Sequence, residues 1–192
     1  MASHELLAVL KTRRSSKPAL LVDPGPSRDQ LSEILMCAAR VPDHKKLAPW
    51  RFVVFEGPAR RTFGLHLERI AADRFPEEAT EMRRETERNR FLRAPVVIAV
   101  ISSPKMTDRV PEIEQVLSCG AACYNLCLAA NAMGFGTSWI TEWYSYDPGI
   151  AAVMGLEAHE KVAGFIYIGT AREAQPDRDR PDVGALTTYF PA

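Results

Sequence analysis

Two short stretches carry more chemistry than a connecting segment needs. In "VPDHKKLAPWRFVVFE" (41–56), four ionisable residues, Asp43, His44, Lys45 and Lys46, stand between Pro42 and Pro49, just ahead of an apolar run. A loop that only joins two elements can be made of small polar residues. One that combines charge, an aromatic and two fixed backbone angles is built like a binding loop. In "RRSS" (13–16), Arg13, Arg14 and Ser15 can hold a phosphate, because arginine grips it with two parallel charge-assisted hydrogen bonds and serine adds a further donor. The same four residues also read as a plain basic turn closing a helix.

Other chemistries find no support in the sequence. Cys119, Cys123 and Cys127 recur every four residues among Ala121, Ala122, Leu126 and Leu128, which on a helix makes a stripe of small buried hydrophobes. A zinc site would need a second cluster elsewhere, and the histidines, His4, His44, His66 and His159, are scattered. "GFGTSW" (134–139) has two of the three glycines of a dinucleotide loop and follows a helical pattern instead of a strand. Neither a Walker-type phosphate loop nor a G-x-S-x-G elbow occurs.

The elements that must position these stretches follow from periodicity. Ser3 can cap a helix bearing Leu6, Leu7, Val9 and Leu10, and Ser27 with Gln30 forms a capping-box spacing ahead of Leu31, Ile34, Leu35 and Ala38. "RFVVFE" (51–56) reads as a strand, 60–75 as an amphipathic helix, and 77–93 as a solvated helix laced with i, i+4 ion pairs. "APVVIAVISS" (94–103) is a continuous β-branched run, which fits a central strand covered on both faces. From Pro111 to Met133 runs one long helix, apolar nearly all round in its later turns, which its own fold and a second subunit would have to cover. "GTSWI" (136–140), a short helix capped by Asp147, and "KVAGFIYIG" (161–169) complete the order ααβααβαβαβ. The end, "LTTYF" (186–190), is a candidate to pair at a sheet edge. No repeat or low-complexity linker divides the 192 residues, so a single domain over 1–192 is expected.

The bulk numbers agree with an ordinary globular chain: 46% hydrophobic, and 24 basic against 24 acidic residues, a balance without the field of a general nucleic-acid binder. The N-terminus lacks the apolar core of a signal peptide and no stretch reads as a membrane span, so a cytoplasmic protein is expected.

Taken in order, "RRSS" (13–16), "AARVPDHKKLAPWRFVVFEG" (38–57), "APVVIAV" (94–100), "GAACYNLCLAANAMGFGTSWI" (120–140) and "KVAGFIYIGT" (161–170) resemble the FMN-dependent nitroreductase family, in particular its small bacterial NAD(P)H-using members with a P-D-H-K loop. The resemblance spans nearly the whole chain. It implies an α+β fold, a mixed central sheet of four to five strands flanked by helices, in an interlocked homodimer with FMN in clefts at the subunit interface. It further implies that Arg13, Arg14 and Ser15 bind the FMN phosphate and ribityl chain, that Arg40 and His44 reach the cofactor across the interface, and that Trp139, Ile140 and Thr141 lie against the isoalloxazine. A late basic residue near the phosphate is also implied, with Arg172, Arg178 and Arg180 as candidates. No metal and no protein acid or base is called for; NAD(P)H would reduce the flavin and an oxidised acceptor, such as a nitroaromatic or quinone, would reoxidise it in a ping-pong cycle. Positive charge from Arg40, His44 and Lys46 would favour the anionic reduced ring.

The sequence departs from the family in two places. Lys46 stands where many members have asparagine, and Trp139-Ile140-Thr141 where close relatives have Trp-Arg-Ser. Two further readings follow: a related flavoenzyme with another substrate, such as an enone reductase, dehalogenase or flavin-fragmenting protein, and a non-catalytic FMN-sequestering dimer.

Overall fold

The computed structural model describes residues 4–191, so the proposed cap Ser3 lies outside the described residues. Its elements are α1 (His4–Thr12), β1 (Leu21–Val22), α2 (Arg28–Ala38), β2 (Trp50–Glu56), α3 (Pro58–Arg74), α4 (Glu81–Asn89), β3 (Val96–Ser102), α5 (Glu112–Ala132), β4 (Gly136–Ile140), α6 (Pro148–Val153) and β5 (Lys161–Ala171). The expected order holds, with β1 added; two residues are too few to show a strand period. Local signals act as read. Gln30 N–H donates to Ser27 Oγ and Ser27 N–H to Gln30 Oε1, closing the capping box of α2. The Asp147 carboxylate accepts from the N–H groups of Gly149 and Ile150, and Gly134, at φ 87°, ends α5.

The strands form one sheet in the order β1-β5-β3-β2, with β4 also paired to β5. Where a mixed sheet was expected, every recorded pairing is antiparallel, because β5 lies between β3 and β4 and runs against both. All seven residues of β3 are buried, and they alternate between two cores. Val97, Ala99 and Ile101 join Phe55, Phe63, Leu67, Phe91 and Phe165 on the α3 and α6 face. Val96, Ile98 and Val100 join Leu31, Ile34, Leu126 and the three cysteines of α5 on the other. That alternation is the two-residue period of a strand covered on both sides.

Two further expectations change. The segment 77–93 is not one solvated helix: α4 is flanked by short 3-10 turns at Pro76–Glu78 and Arg90–Arg93, and Glu87 is fully buried. Its one i, i+4 pair is Arg83 to Glu87, while Arg88 pairs with Glu68 of α3, and Arg90 and Arg93 with Glu142. The charges thus bind α4 to its neighbours. "LTTYF" forms no strand within the chain, and Leu186, Tyr189 and Phe190 are exposed. α5 is long and apolar enough to cross a membrane by length and composition alone, a property that a core helix shares. It packs one face on the sheet and α2, and leaves Ile113, Leu117 and Tyr124 exposed.

A bidentate ion pair closes the far end of the sheet. Arg51 on β2 donates from Nε and Nη2 to the two Glu160 oxygens at 2.7 and 2.6 Å, beside the start of β5. The hydrogen bond from Arg51 outweighs burial and lowers the Glu160 carboxyl from 4.5 to about 2. A group whose folded pKa is depressed stabilises the fold while ionised, so this contribution is complete above about 4.5 and is lost as pH falls towards 2. Glu160→Gln is expected to flatten the acid limb of stability over that interval, read by urea unfolding at stepped pH; an unchanged limb would show that the pair does not drive it.

Candidate functional site

The Arg13–Ser16 turn is pinned to the sheet. Arg13 N–H donates to Val9 O, ending α1, and Ser16 N–H donates to Thr137 O on β4 at 2.8 Å. The approach requires glycine at 136, where a Cβ would fall 2.7 Å from Leu21 Cδ2 and 2.8 Å from Ser16 Oγ. The Arg13 guanidinium lies 5.8 Å from the ring centre of Tyr124 on α5, and its Nη1 is 3.4 Å from Ser15 Oγ. Arg14 Nη1 is buried and makes no hydrogen bond. Its nearest carboxylate is Asp177, at 3.8 Å. Asp177 sits below the usual carboxylate range, held there first by the Arg178 N–H and then by Arg180, whose Nη2 is 3.0 Å away. Arg180 is therefore the late arginine that shares a carboxylate with Arg14, whereas Arg172 contributes a backbone N–H to Leu20 O.

β4 carries Trp139 beside this turn. The indole approaches Gly164 of β5 by its Nε1–Cδ1 edge, where a Cβ would meet Nε1 at 2.0 Å, and Nε1 donates to Ala163 O at 3.2 Å. Ile140 packs against the first core and Thr141 is exposed. The next residue, Glu142, is held by Arg90 and Arg93. Burial raises its carboxyl, but the Arg93 hydrogen bond and both guanidinium charges outweigh that and leave it below the ordinary value.

The 40–48 loop is braced and strained. Asp43 accepts from Leu47 and Ala48 N–H at 3.0 and 2.9 Å, so it holds the turn itself. Ser118 Oγ donates to Pro42 O at 2.6 Å, Asn125 Nδ2 to Arg40 O at 3.0 Å, and the His44 Nδ1–H to Glu114 Oε2 at 2.8 Å. Lys45, Lys46 and Ala48 adopt φ of 63°, 55° and 46°, a left-handed region disfavoured for side chains other than Asn and Asp. Backbone strain of this kind costs on the order of 1–3 kcal/mol per residue and collects at functional sites. It leaves Arg40, Lys45 and Lys46 facing solvent.

The eight expected site residues fall into two groups. Arg13, Arg14 and Ser15 lie in the turn that Ser16 ties to Thr137 of β4, the strand that carries Trp139 and Ile140 and leads into Thr141. Arg40 and His44 are fastened to a different stripe of α5, Glu114, Ser118 and Asn125, spaced by four and seven residues. Val116, Cys119 and Gly120 instead line a cleft of about 410 Å³ with Trp139, Pro104 and Lys161. The exposed Ile113, Leu117 and Tyr124 run between the two groups. Sequence reasoning missed Asp177, Tyr124 and Gly164. Tyr124 had a signal, as the lone aromatic in an Ala- and Cys-rich helix; the other two become visible only through contacts distant in sequence.

Comparison with known proteins agrees with this fold. The model of the Nitroreductase family matches residues 10–170. A protein of Escherichia coli (strain K12) named "Putative NAD(P)H nitroreductase YdjA" is 34% identical over 187 residues, covering 97% of this chain and all of that one. The crystal structure of a nitroreductase-like family protein from Bacillus cereus superposes with a TM-score of 0.85 at 24% identity, covering 99% of this chain and 98% of its own. A variant of an FMN- and NADPH-dependent nitroreductase from Sphigopyxis sp. strain HMH gives 0.71 at 19% identity, covering 95% and 97%.

Proposed function

Because the chain belongs to the nitroreductase family, we propose that it is an FMN-dependent oxidoreductase that passes reducing equivalents from NAD(P)H to small oxidised acceptors such as nitroaromatics and quinones, with ping-pong kinetics. The observation that carries this reading is Arg14 Nη1, a buried donor with no hydrogen-bond acceptor, set in one turn with Arg13 and Ser15. Buried donors are ordinarily satisfied. A phosphate monoester offers acceptor oxygens to both guanidinium groups and the hydroxyl.

Two such sites in a homodimer explain the division of the residues. The apolar strip of Ile113, Leu117 and Tyr124, together with the exposed Leu7 and Leu10 of α1, is of the kind that a second subunit covers. Arg40 and His44, on another stripe of α5, would then serve the partner's cofactor. When bound, FMN supplies the hydride and electron chemistry that no side chain here can perform. The protein's own part is binding and orientation. Arg13, Arg14 and Ser15 hold the phosphate end, and the Trp139–Thr141 segment, stiffened by Gly164 and by Glu142, backs the ring. Arg40, His44 and Lys46 bring positive charge that stabilises an anionic reduced state.

The purified protein is expected to be yellow, with an absorbance spectrum in the flavin bands. NAD(P)H should bleach it without oxygen, and a quinone or nitroaromatic should restore the colour. Double-reciprocal plots at several acceptor concentrations should run parallel. A colourless protein that takes up no FMN overturns the cofactor, and a yellow one that NAD(P)H does not bleach leaves a flavin-sequestering role instead.

A further inference from the structure

We propose that the Trp139 cleft is the acceptor site and that it selects planar aromatic compounds carrying an acidic group, which Lys161 recognises. This rests on the reading of β4 as the strand that backs the flavin. The cleft, about 410 Å³, is lined by Pro104, Val116, Cys119, Val162 and Ala163, with the indole of Trp139 as one wall. That wall is preformed: the ring edge abuts Gly164 and its Nε1–H is engaged by Ala163 O. An apolar slot with a fixed aromatic side suits a flat ring, and orientation is left to a few polar groups.

Among the described residues lining the cleft, Lys161 is the free cation. The exposed Lys161 ammonium, at the first residue of β5, forms no ion pair or hydrogen bond among the described residues, whereas its neighbour Glu160 is committed to Arg51. A second cleft of about 330 Å³ shares Lys161, His159, Pro104 and Glu112 and adds Lys105, whose ammonium donates to Ser103 Oγ at 3.2 Å. His159 leans on Glu157 at 3.5 Å. The one carboxylate lining both clefts, Glu112, stands in the first turn of α5, where the helix N-terminus offsets its charge. A carboxylate or sulfonate on the acceptor ring would therefore meet an uncommitted ammonium at the rim while the ring fills the slot.

The test is a matched pair, 4-nitrobenzoate and 4-nitrobenzamide, alike in shape and different in charge, titrated by calorimetry into the oxidised protein at low salt. An exposed charge pair is worth up to about a fivefold preference, so nitrobenzoate should bind about five times more tightly, and the margin should shrink in salt. Lys161→Gln should erase the margin and leave nitrobenzamide binding unchanged; in turnover the variant should raise KM for the acid alone and hold kcat. Equal affinities in the wild type, no binding of either compound, or a margin that survives Lys161→Gln would overturn the proposal. Failure of the underlying oxidoreductase reading would appear separately, as absent flavin colour or absent bleaching, with the binding margin still measurable.

Discussion

A protein with both Arg13 and Arg14 replaced by alanine is expected to leave purification colourless. Hydrogen bonds to a charged group contribute about 1.5–3 kcal/mol each, so removing one from each guanidinium takes away about 3–6 kcal/mol, a loss of roughly a hundredfold to more than ten-thousandfold in affinity for FMN. The structure makes the change specific. The turn is fixed by backbone contacts, Arg13 N–H to Val9 O and Ser16 N–H to Thr137 O, which alanine keeps. The apo variant should therefore melt close to the apo wild type, while the holo forms diverge because a ligand that binds only the folded state stabilises it. Arg14→Lys should restore part of the affinity, since an ammonium keeps the charge and loses the two-pronged grip. A double variant that retains a full complement of flavin would remove the phosphate assignment and the reading built on it.

What the sequence made legible and what it hid divide along physical lines. Element order was readable because each signal is local: the Ser27 and Gln30 box, the Asp147 cap, and the β-branched run of β3 act within a turn or a strand. The arginine turn, by contrast, read equally as a basic helix end and as a phosphate grip, and only the resemblance chose between them. The meaning of "PDHKK" was only half readable. Charge at 43–46 was evident, but the sequence cannot say that Asp43 spends its carboxylate on Leu47 and Ala48, or that Lys46 sits at a φ of 55°. Asparagine tolerates that backbone region far better than lysine, which gives its presence at this position in many family members a backbone explanation beside any contact with the ring. Trp139 looked like a ring contact from the resemblance alone; its seat on Gly164 is a register fact of the β4–β5 pair, 25 residues apart in sequence.

The largest misreading points to the second large effect, replacement of Glu87 by alanine. From sequence, Glu87 is one of five glutamates in a run of cancelling charge, which suggests a surface residue of little consequence. In the fold its side chain has no exposure, Arg83 lies 2.9 Å away, Arg90 grips both carboxylate oxygens, and Trp143 Nε1–H donates to it at 3.1 Å. Removing one partner of a buried pair costs about 3–5 kcal/mol, because the remaining partners keep a desolvation penalty that Glu142, for Arg90, and Glu78, for Arg83, offset only in part. For a chain of this size that corresponds to a melting temperature lower by roughly 6–20 °C. The measurement belongs on the apo protein, where cofactor linkage cannot mask it. Glu87→Gln keeps acceptors for Trp143 and Arg90 and should fall between; a Glu87→Ala drop of under about 3 °C would show that the cluster relaxes into solvent. Because Arg90 also holds Glu142, next to the Trp139–Thr141 segment, the alanine variant should weaken flavin binding even well below its melting point. Such a loss would tie α4 to the site through one carboxylate.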